Sequence, residues 1–146
     1  MSGNSGEPRG RTNSGATILL VDDNEDLREI TAMLLSNLGY EVVVAESGAA
    51  AIKLLEEEKS ACDLLIVDFA MPEMSGLQLT ARVRSRRPDL KVLIMTGYAD
   101  DPAFQAKLRG EALIKKPFTA DQLRATLAQL LTAAAQPRVP NGDGGS

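Results

Sequence analysis

The sequence contains no histidine and no tryptophan, and Cys62 is its single cysteine. Without histidine the chain cannot build a Ser-His-Asp or Cys-His catalytic site, a histidine-ligated metal centre or a phosphohistidine of its own. A lone cysteine cannot form an intramolecular disulfide, which fits a reducing compartment. These absences exclude several classes of hydrolase, and any phosphohistidine must come from a partner.

Long apolar stretches are also absent. The strongest run, Leu64–Val67, is far shorter than the ~20 residues that span a bilayer. The chain starts with polar residues instead of the ~7–15 apolar residues of a signal peptide. We therefore expect a cytoplasmic protein with no membrane partner.

Acidic residues outnumber basic ones by 20 to 16, which gives a net charge of −4. An acidic protein is a poor nonspecific ligand for nucleic acids. The one dense basic stretch contains Arg82, Arg84, Arg86 and Arg87. Because no aromatic residues are interleaved with these arginines, the stretch predicts the solvated end of a helix. We expect no nucleic-acid partner.

With 146 residues the chain has the length of one domain. Both ends are rich in glycine, serine, asparagine and proline, and they carry too little apolar surface to offset the entropy of ordering. We predict disordered tails over residues 1–16 and 133–146, on either side of a folded domain over residues 17–132.

Five short apolar runs have the length of β-strands. They are Thr17–Val21, Glu41–Ala45, Leu64–Val67, Val92–Met95 and Ala112–Ile114. Most are continuous in aliphatic residues instead of alternating with polar ones, and this is typical of parallel strands that are covered on both faces. The last run is the weakest of the five.

Segments with helical spacing follow each run. In the first, the residues predicted to face inward are Leu27, Ile30, Leu34 and Leu38, and Gly39 follows as the C′ residue. Five further features predict where the other helices begin or end. They are Ser47 as an N-cap, Pro88 as a helix stop, Pro102 at a first helical position, Gly110 at a helix end, and Thr119–Gln122 as a capping box. The order is therefore βαβαβαβαβα.

This alternation predicts an α/β fold with a doubly wound, five-stranded parallel sheet. In such sheets ligands bind at the carboxyl ends of the strands. The residues at those ends are Asp22 and Asp23 after the first strand, Asp68 after the third, Thr96 after the fourth and Lys116 after the fifth. Each alone has an ordinary explanation, such as helix capping by the paired aspartates.

Together these residues predict a phosphoryl-transfer site with a carboxylate nucleophile. Three clustered carboxylates repel one another unless a hard cation lies among them. Mg²⁺ fits best, because it prefers oxygen ligands and the chain has no histidine for a zinc site. The lysine adds a positive charge for a tetrahedral anion.

Four segments resemble the receiver domains of two-component response regulators. They are Leu19–Asp23, Val67–Gly76, Met95–Gly97 and Lys115–Phe118. They occur in the family's order, and the resemblance covers about Thr17 to Leu131. It implies a flavodoxin-like (βα)5 fold with strand order 2-1-3-4-5.

The resemblance also assigns roles in the site. Asp68 is then the phosphoacceptor, and Thr96 and Lys116 contact the phosphoryl oxygens. Mg²⁺ is bound by Asp23, Asp68 and the backbone carbonyl of Ala70, with Asp22 assisting through water. In-line attack needs mainly positioning and charge neutralisation, which these groups supply.

The chain departs from the family's pattern at one position. Receivers often carry an aromatic switch residue three positions before the functional lysine, where this chain has Leu113. Tyr98 completes a Thr-Gly-Tyr sequence found in a subset of receivers, and we predict that it shares the switch role with Thr96. Pro117 predicts a cis peptide bond after Lys116.

The resemblance implies a signalling domain that catalyses only its own phosphorylation and dephosphorylation. The expected partners are a sensor histidine kinase or histidine phosphotransfer protein, and a downstream protein that docks on the face of the fourth helix, fifth strand and fifth helix. One alternative is a pseudo-receiver that binds partners without phosphorylation. Another is an aspartate-nucleophile, Mg²⁺-dependent phosphatase, although Ala70 stands where that enzyme class needs an aspartate.

Overall fold

The computed structural model describes residues 16–57, 62–108 and 110–135, and there five strands alternate with five helices. The strands are β1 (Thr17–Val21), β2 (Glu41–Ala45), β3 (Leu64–Asp68), β4 (Lys91–Thr96) and β5 (Ala112–Lys115). The helices are α1 (Glu25–Asn37), α2 (Gly48–Glu57), α3 (Gly76–Arg86), α4 (Pro102–Leu108) and α5 (Ala120–Ala135). The tails predicted over residues 1–16 and 133–146 lie largely outside the described residues.

The strands form one parallel sheet in the order β2-β1-β3-β4-β5, which confirms the predicted fold. Val21 at the end of β1 pairs with Ala45 on one side and with Val67 on the other. Thr96 at the end of β4 pairs with Lys115. This register brings the carboxyl ends of the strands to one edge of the sheet.

Two apolar clusters cover the two faces of the sheet. Alternate residues of β1 divide between them, with Leu19 facing one cluster and Leu20 the other. The first cluster contains residues of α2, α3 and α4, and the second contains residues of α1 and α5. The central strands are therefore covered on both faces, as their continuous aliphatic runs predict.

The predicted inward face of α1 is wrong at Leu27 and Ile30, whereas Leu34 and Leu38 pack against the second cluster as predicted. Leu27 and Ile30 are 42% and 56% exposed, whereas Thr31 and Leu35 are the buried residues of this helix. Leu27 and Ile30 instead line a surface groove with Phe118. The first turns of α1 therefore direct Thr31 toward the sheet in place of the predicted Leu27 and Ile30.

The expectation that β2 is covered on both faces is also wrong. Val43 and Val44 are exposed, although both belong to an aliphatic run. The reason is the position of β2 at the edge of the sheet, where it has a neighbouring strand on one side only. Side chains near a free edge remain in contact with water.

Local capping bonds explain most helix boundaries. Gly39 has a φ of 102°, and its N–H donates to the Ser36 carbonyl, while the N–H of Tyr40 donates to the Leu35 carbonyl. These two bonds form a Schellman motif, which confirms the predicted C′ glycine. The predicted capping box before α5 is present, with bonds of 2.9 and 3.0 Å. No helix in the described part of the chain is long and apolar enough to cross a membrane.

Tyr40 yields a prediction about stability. Its side chain is buried in the cluster under α1 and α5, and its hydroxyl has no hydrogen-bond partner among the described residues. Because a buried unpaired hydroxyl opposes folding, we expect Tyr40→Phe to raise the free energy of unfolding by about 1 kcal/mol in urea denaturation. The exposed Tyr98 supplies the control, since Tyr98→Phe removes a solvated hydroxyl. A loss of stability in Tyr40→Phe would contradict the prediction.

Candidate functional site

Polar side chains converge at the carboxyl edge of the sheet. Asp22 and Asp23 directly follow β1, and Asp68 is the last residue of β3. One carboxylate oxygen from each of these residues lies within 4.8 Å of the others. The strand register thus brings together the three carboxylates that the sequence analysis selected, although Asp68 lies far from the adjacent Asp22 and Asp23 in the chain.

Asp68 is buried and paired with a lysine. The Lys116 Nζ donates to the Asp68 Oδ1 at 2.9 Å. The backbone N–H of Lys116 donates to the Thr96 carbonyl at 2.9 Å, so the residue is fixed to the end of β4. The peptide bond to Pro117 is cis, as predicted. The ammonium group is therefore held beside the carboxylate while its side chain keeps partial access to water.

Asp22 is the most buried of the three carboxylates. Its Oδ1 accepts from the Asn24 N–H at 3.0 Å, and its backbone carbonyl accepts from the Arg28 Nη1 at 2.8 Å. Burial raises the pKa of this carboxyl group, and the nearby Asp68 charge adds to the effect. Because the folded state holds the Asp22 proton more tightly than the unfolded chain, its ionisation opposes folding as the pH rises.

The cluster has the chemistry of a magnesium site. All its donors are carboxylate oxygens, which are the ligands that hard divalent cations prefer. Asp23 is exposed, whereas Asp22 and Asp68 are buried. A cation that enters from solvent would therefore contact the Asp23 carboxylate first. Ala70 lies two residues beyond Asp68 in the loop before α3, and its part in metal binding stays a prediction.

The loop between β3 and α3 is folded back tightly on the strand end. The N–H of Gly76 donates to the Phe69 carbonyl at 2.9 Å. A Cβ at position 76 would lie 2.8 Å from the Asp68 carbonyl oxygen and 2.9 Å from the Phe69 Cα. There is no space for a larger residue at this position, because the start of α3 contacts the backbone of Asp68.

Thr96 is buried at the end of β4, and its hydroxyl contacts the following loop. The Thr96 Oγ1 accepts from the Tyr98 N–H at 2.9 Å. The Tyr98 side chain is exposed, and Leu113 packs at the margin of the cluster beneath α2, α3 and α4. The threonine thus joins the carboxyl edge of the sheet to the loop that leads into α4.

Three aromatic rings form a group that the sequence analysis missed. The Phe69 and Phe104 ring centroids are 4.7 Å apart, and the Tyr98 ring lies 6.4 Å from Phe69 and 6.3 Å from Phe104. Edge-to-face contacts of this kind are favourable. Phe69, the residue after Asp68, therefore contacts Phe104 of α4. In the sequence, only its position next to the aspartate indicates this contact.

Two further residues were missed near Asp22. Asn24 is the N-cap of α1, and its side chain accepts from the Leu27 N–H while its backbone N–H holds the Asp22 carboxylate. Arg28, one turn into α1, holds the Asp22 carbonyl. An asparagine before an apolar helical pattern is a recognised start signal, so Asn24 was detectable from the sequence.

Comparison with known proteins agrees with this fold. Residues 18–128 match the family model of the response regulator receiver domain. The chain belongs to this family, the receiver domains of two-component response regulators. It is thus a signalling domain.

Individual relatives include both stand-alone receivers and larger proteins. The chain is 36% identical over 120 residues to the response regulator receiver protein CpdR of Brucella abortus, covering 80% of this chain and 98% of CpdR. It is 37% identical over 119 residues to the sensor kinase CckA of the same organism, covering 80% of this chain but 12% of CckA. The solved structure of the Thermotoga maritima response regulator TrrA in complex with Mg²⁺-BeF matches with a TM-score of 0.70 and 30% identity, covering 79% and 98% of the two chains.

The contact at Gly76 yields a prediction with an internal control. We expect Gly76→Ala to destabilise the protein by roughly 1–3 kcal/mol, because the added methyl group overlaps backbone atoms of Asp68 and Phe69. Gly97→Ala is the control, since a Cβ there meets no described atom within 4 Å. Urea denaturation of both variants measures the difference. Equal effects would show that space at position 76 is not limiting.

Proposed function

We propose that Asp68 accepts a phosphoryl group from a partner's phosphohistidine. The observation that carries the proposal is the contact between the Asp68 Oδ1 and the Lys116 Nζ, beside two further carboxylates. An Asp68 carboxylate oxygen attacks the phosphorus, the bond from phosphorus to the histidine nitrogen breaks, and an acyl phosphate forms. The imidazole leaves with its electron pair and takes up a proton.

The residues around Asp68 are suited to this step. The carboxylates of Asp22, Asp23 and Asp68 and the Ala70 carbonyl would hold Mg²⁺, which when bound supplies positive charge to the phosphoryl oxygens. Lys116 neutralises further charge, and its partly exposed ammonium can move from the carboxylate to the product phosphoryl group. Because the Thr96 hydroxyl oxygen accepts from Tyr98, its own hydrogen is available to donate to a phosphoryl oxygen.

The donor must be another protein, because the chain contains no histidine. We infer that this donor is a sensor histidine kinase or a histidine phosphotransfer protein. The relatives support the inference, since one of them is a sensor kinase and another is a receiver protein of similar length. Self-catalysed phosphorylation and dephosphorylation, and a cytoplasmic location, belong to the same proposal.

The phosphorylated state would be transmitted through the loop after β4. Thr96 and Tyr98 are directly connected, and the Lys115 Nζ on β5 pairs with the Asp100 Oδ2 of this loop at 2.6 Å. A shift of Thr96 toward the phosphoryl group would therefore reach both α4 and β5. We infer that a downstream partner docks on the face formed by α4, β5 and α5.

Replacing the phosphoacceptor tests the central step. We expect Asp68→Asn to abolish phosphorylation by acetyl phosphate with Mg²⁺, because the amide has nearly the shape of the carboxylate but is not a nucleophile. Intact-mass spectrometry measures the gain of one phosphoryl group. Asp121→Asn, an exposed aspartate in α5, should behave like the wild type. If the wild type never gains a phosphoryl group, from acetyl phosphate or a panel of kinases, the chain is a pseudo-receiver.

Magnesium binding is tested separately from phosphorylation. A cation that binds only the folded state raises its stability, by about 2.7 kcal/mol at a hundred times the Kd. We expect Mg²⁺ to raise the Tm of the wild type and Asp23→Ala to lose most of this gain. Asp26→Ala, on the first turn of α1, removes a nearby charge outside the cluster and should keep the gain. An unchanged response in Asp23→Ala would remove Asp23 from the ligand set.

The switch role of Tyr98 is tested with beryllofluoride and Mg²⁺, which imitate the phosphoryl group. We expect amide shift changes to concentrate in residues 96–118. Tyr98→Ala should weaken their spread into β5 and α5 while leaving Asp68 reactive. Tyr98→Phe keeps the ring beside Phe69 and Phe104 and is the matched control. Undiminished transmission in Tyr98→Ala would show that the ring has no such role.

A further inference from the structure

The C-terminal halves of α2 and α3 enclose a cleft of about 310 Å³. Its apolar lining consists of Ile52, Leu55 and Val83. Each helix of a doubly wound sheet runs antiparallel to the strands, so the C-terminal ends of α2 and α3 lie at the edge opposite to Asp68. This cleft is therefore separate from the phosphoryl-transfer site.

The polar lining of the cleft is strongly basic. Among the described residues, it contains three arginines, Arg82, Arg86 and Arg87, and one carboxylate, that of Glu56. We call this site the arginine cleft. The whole chain carries a net charge of −4, so the local excess of positive charge is not a consequence of a basic composition.

The three guanidinium groups differ in their hydrogen-bond and ion-pair partners. Arg86 forms an ion pair with Glu56 across the cleft, and the Arg87 Nη2 donates to the Cys62 carbonyl at 3.0 Å. The Arg82 side chain has no hydrogen bond or ion pair among the described residues. Arg84 of the same helix differs, since its guanidinium pairs with Glu111 outside the cleft. The cleft thus keeps unused donors and uncompensated positive charge.

We propose that the arginine cleft binds a small organic anion with an apolar body and a terminal carboxylate or phosphate. Guanidinium groups bind both anions through paired, charge-assisted hydrogen bonds. The side chains of Ile52, Leu55 and Val83 offer the apolar contact for the body of the ligand. The volume is at the lower end of the range of small-molecule sites, ~300–1,000 Å³.

The shape of the cleft favours a small molecule over an acidic protein segment. A stable protein interface buries ~800 Å² on each partner and is usually broad. The arginine cleft is a single concavity between two helices, and its apolar lining is the buried Val83 with the half-buried Ile52 and Leu55. A segment of acidic residues would contact the arginines but has no apolar group to cover these three side chains.

NMR titration with defined probes tests the proposal. Hexanoate and hexyl phosphate share one apolar body and differ in the anionic group, while hexanol and inorganic phosphate each supply one half of the ligand. We expect saturable amide shifts in residues 52–57 and 82–87 with at least one of the two amphipathic anions. Hexanol and inorganic phosphate should each bind at least about ten-fold more weakly than the better of the two anions. The tighter of the two anions identifies the preferred head group.

Substitution of the unengaged arginine gives the matched comparison. Arg82→Gln removes one charge from the arginine cleft, whereas Arg124→Gln removes one from the exposed surface of α5. We expect the Kd of the better anion to rise about ten-fold in Arg82→Gln, the loss of one charge-assisted interaction, and to stay unchanged in Arg124→Gln. Thermal unfolding checks that both variants are folded.

Three outcomes would overturn the proposal. The first is an absence of saturable shifts in the cleft with either anion. The second is an equal response of Arg82→Gln and Arg124→Gln, or equal binding of hexanol and the anions, since the guanidinium groups would then play no part. The third is tight binding of a poly-glutamate peptide where both small anions fail, which would assign the cleft to an acidic protein partner.

Discussion

The repulsion between closely spaced carboxylates at the end of the sheet is the constraint around which this receiver domain is organised. Asp22 and Asp68 are both buried, and Asp23 lies within a few ångströms of them. Burial and mutual repulsion both disfavour ionised carboxylates. Lys116 pairs with Asp68, and the Asn24 N–H together with the Lys116 charge offsets part of the cost at Asp22. The remaining negative charge is the physical basis of the Mg²⁺ site that we propose.

The rest of the fold holds these groups in place. The register of the central strands sets Asp68 beside the end of β1, and the bond from Lys116 to the Thr96 carbonyl fixes the lysine to β4. Gly76 lets α3 begin against the backbone of Asp68. Because each of these constraints acts on backbone atoms, the backbone cannot move to separate the residues that carry the carboxylates. The packing of the sheet and its helices therefore supplies the free energy that offsets the repulsion and burial of the carboxylates.

Residues that act through local chemistry were predictable from the sequence, and residues that act through tertiary placement were not. Short apolar runs located all five strands, and the polar residues that follow those runs located the carboxylate cluster. The same aliphatic signal failed at Val43 and Val44, because an edge strand and a central strand have similar sequences. Apolarity also failed over the first turns of α1, since Thr31 is buried and Ile30 is exposed.

The aromatic group explains how a receiver with Leu113 at the usual aromatic position can still connect its site to α4. Phe69 is covalently attached to Asp68, and its ring packs edge-on against Phe104 of α4. Tyr98 touches both rings and is tied to Thr96 through its backbone N–H. A displacement of the Asp68 backbone or of Thr96 would therefore act on the packing at Phe104. Phe69, Phe104 and Leu113 belong to the same cluster beneath α2, α3 and α4, so the aromatic contacts connect the site to α4 without an aromatic side chain at position 113.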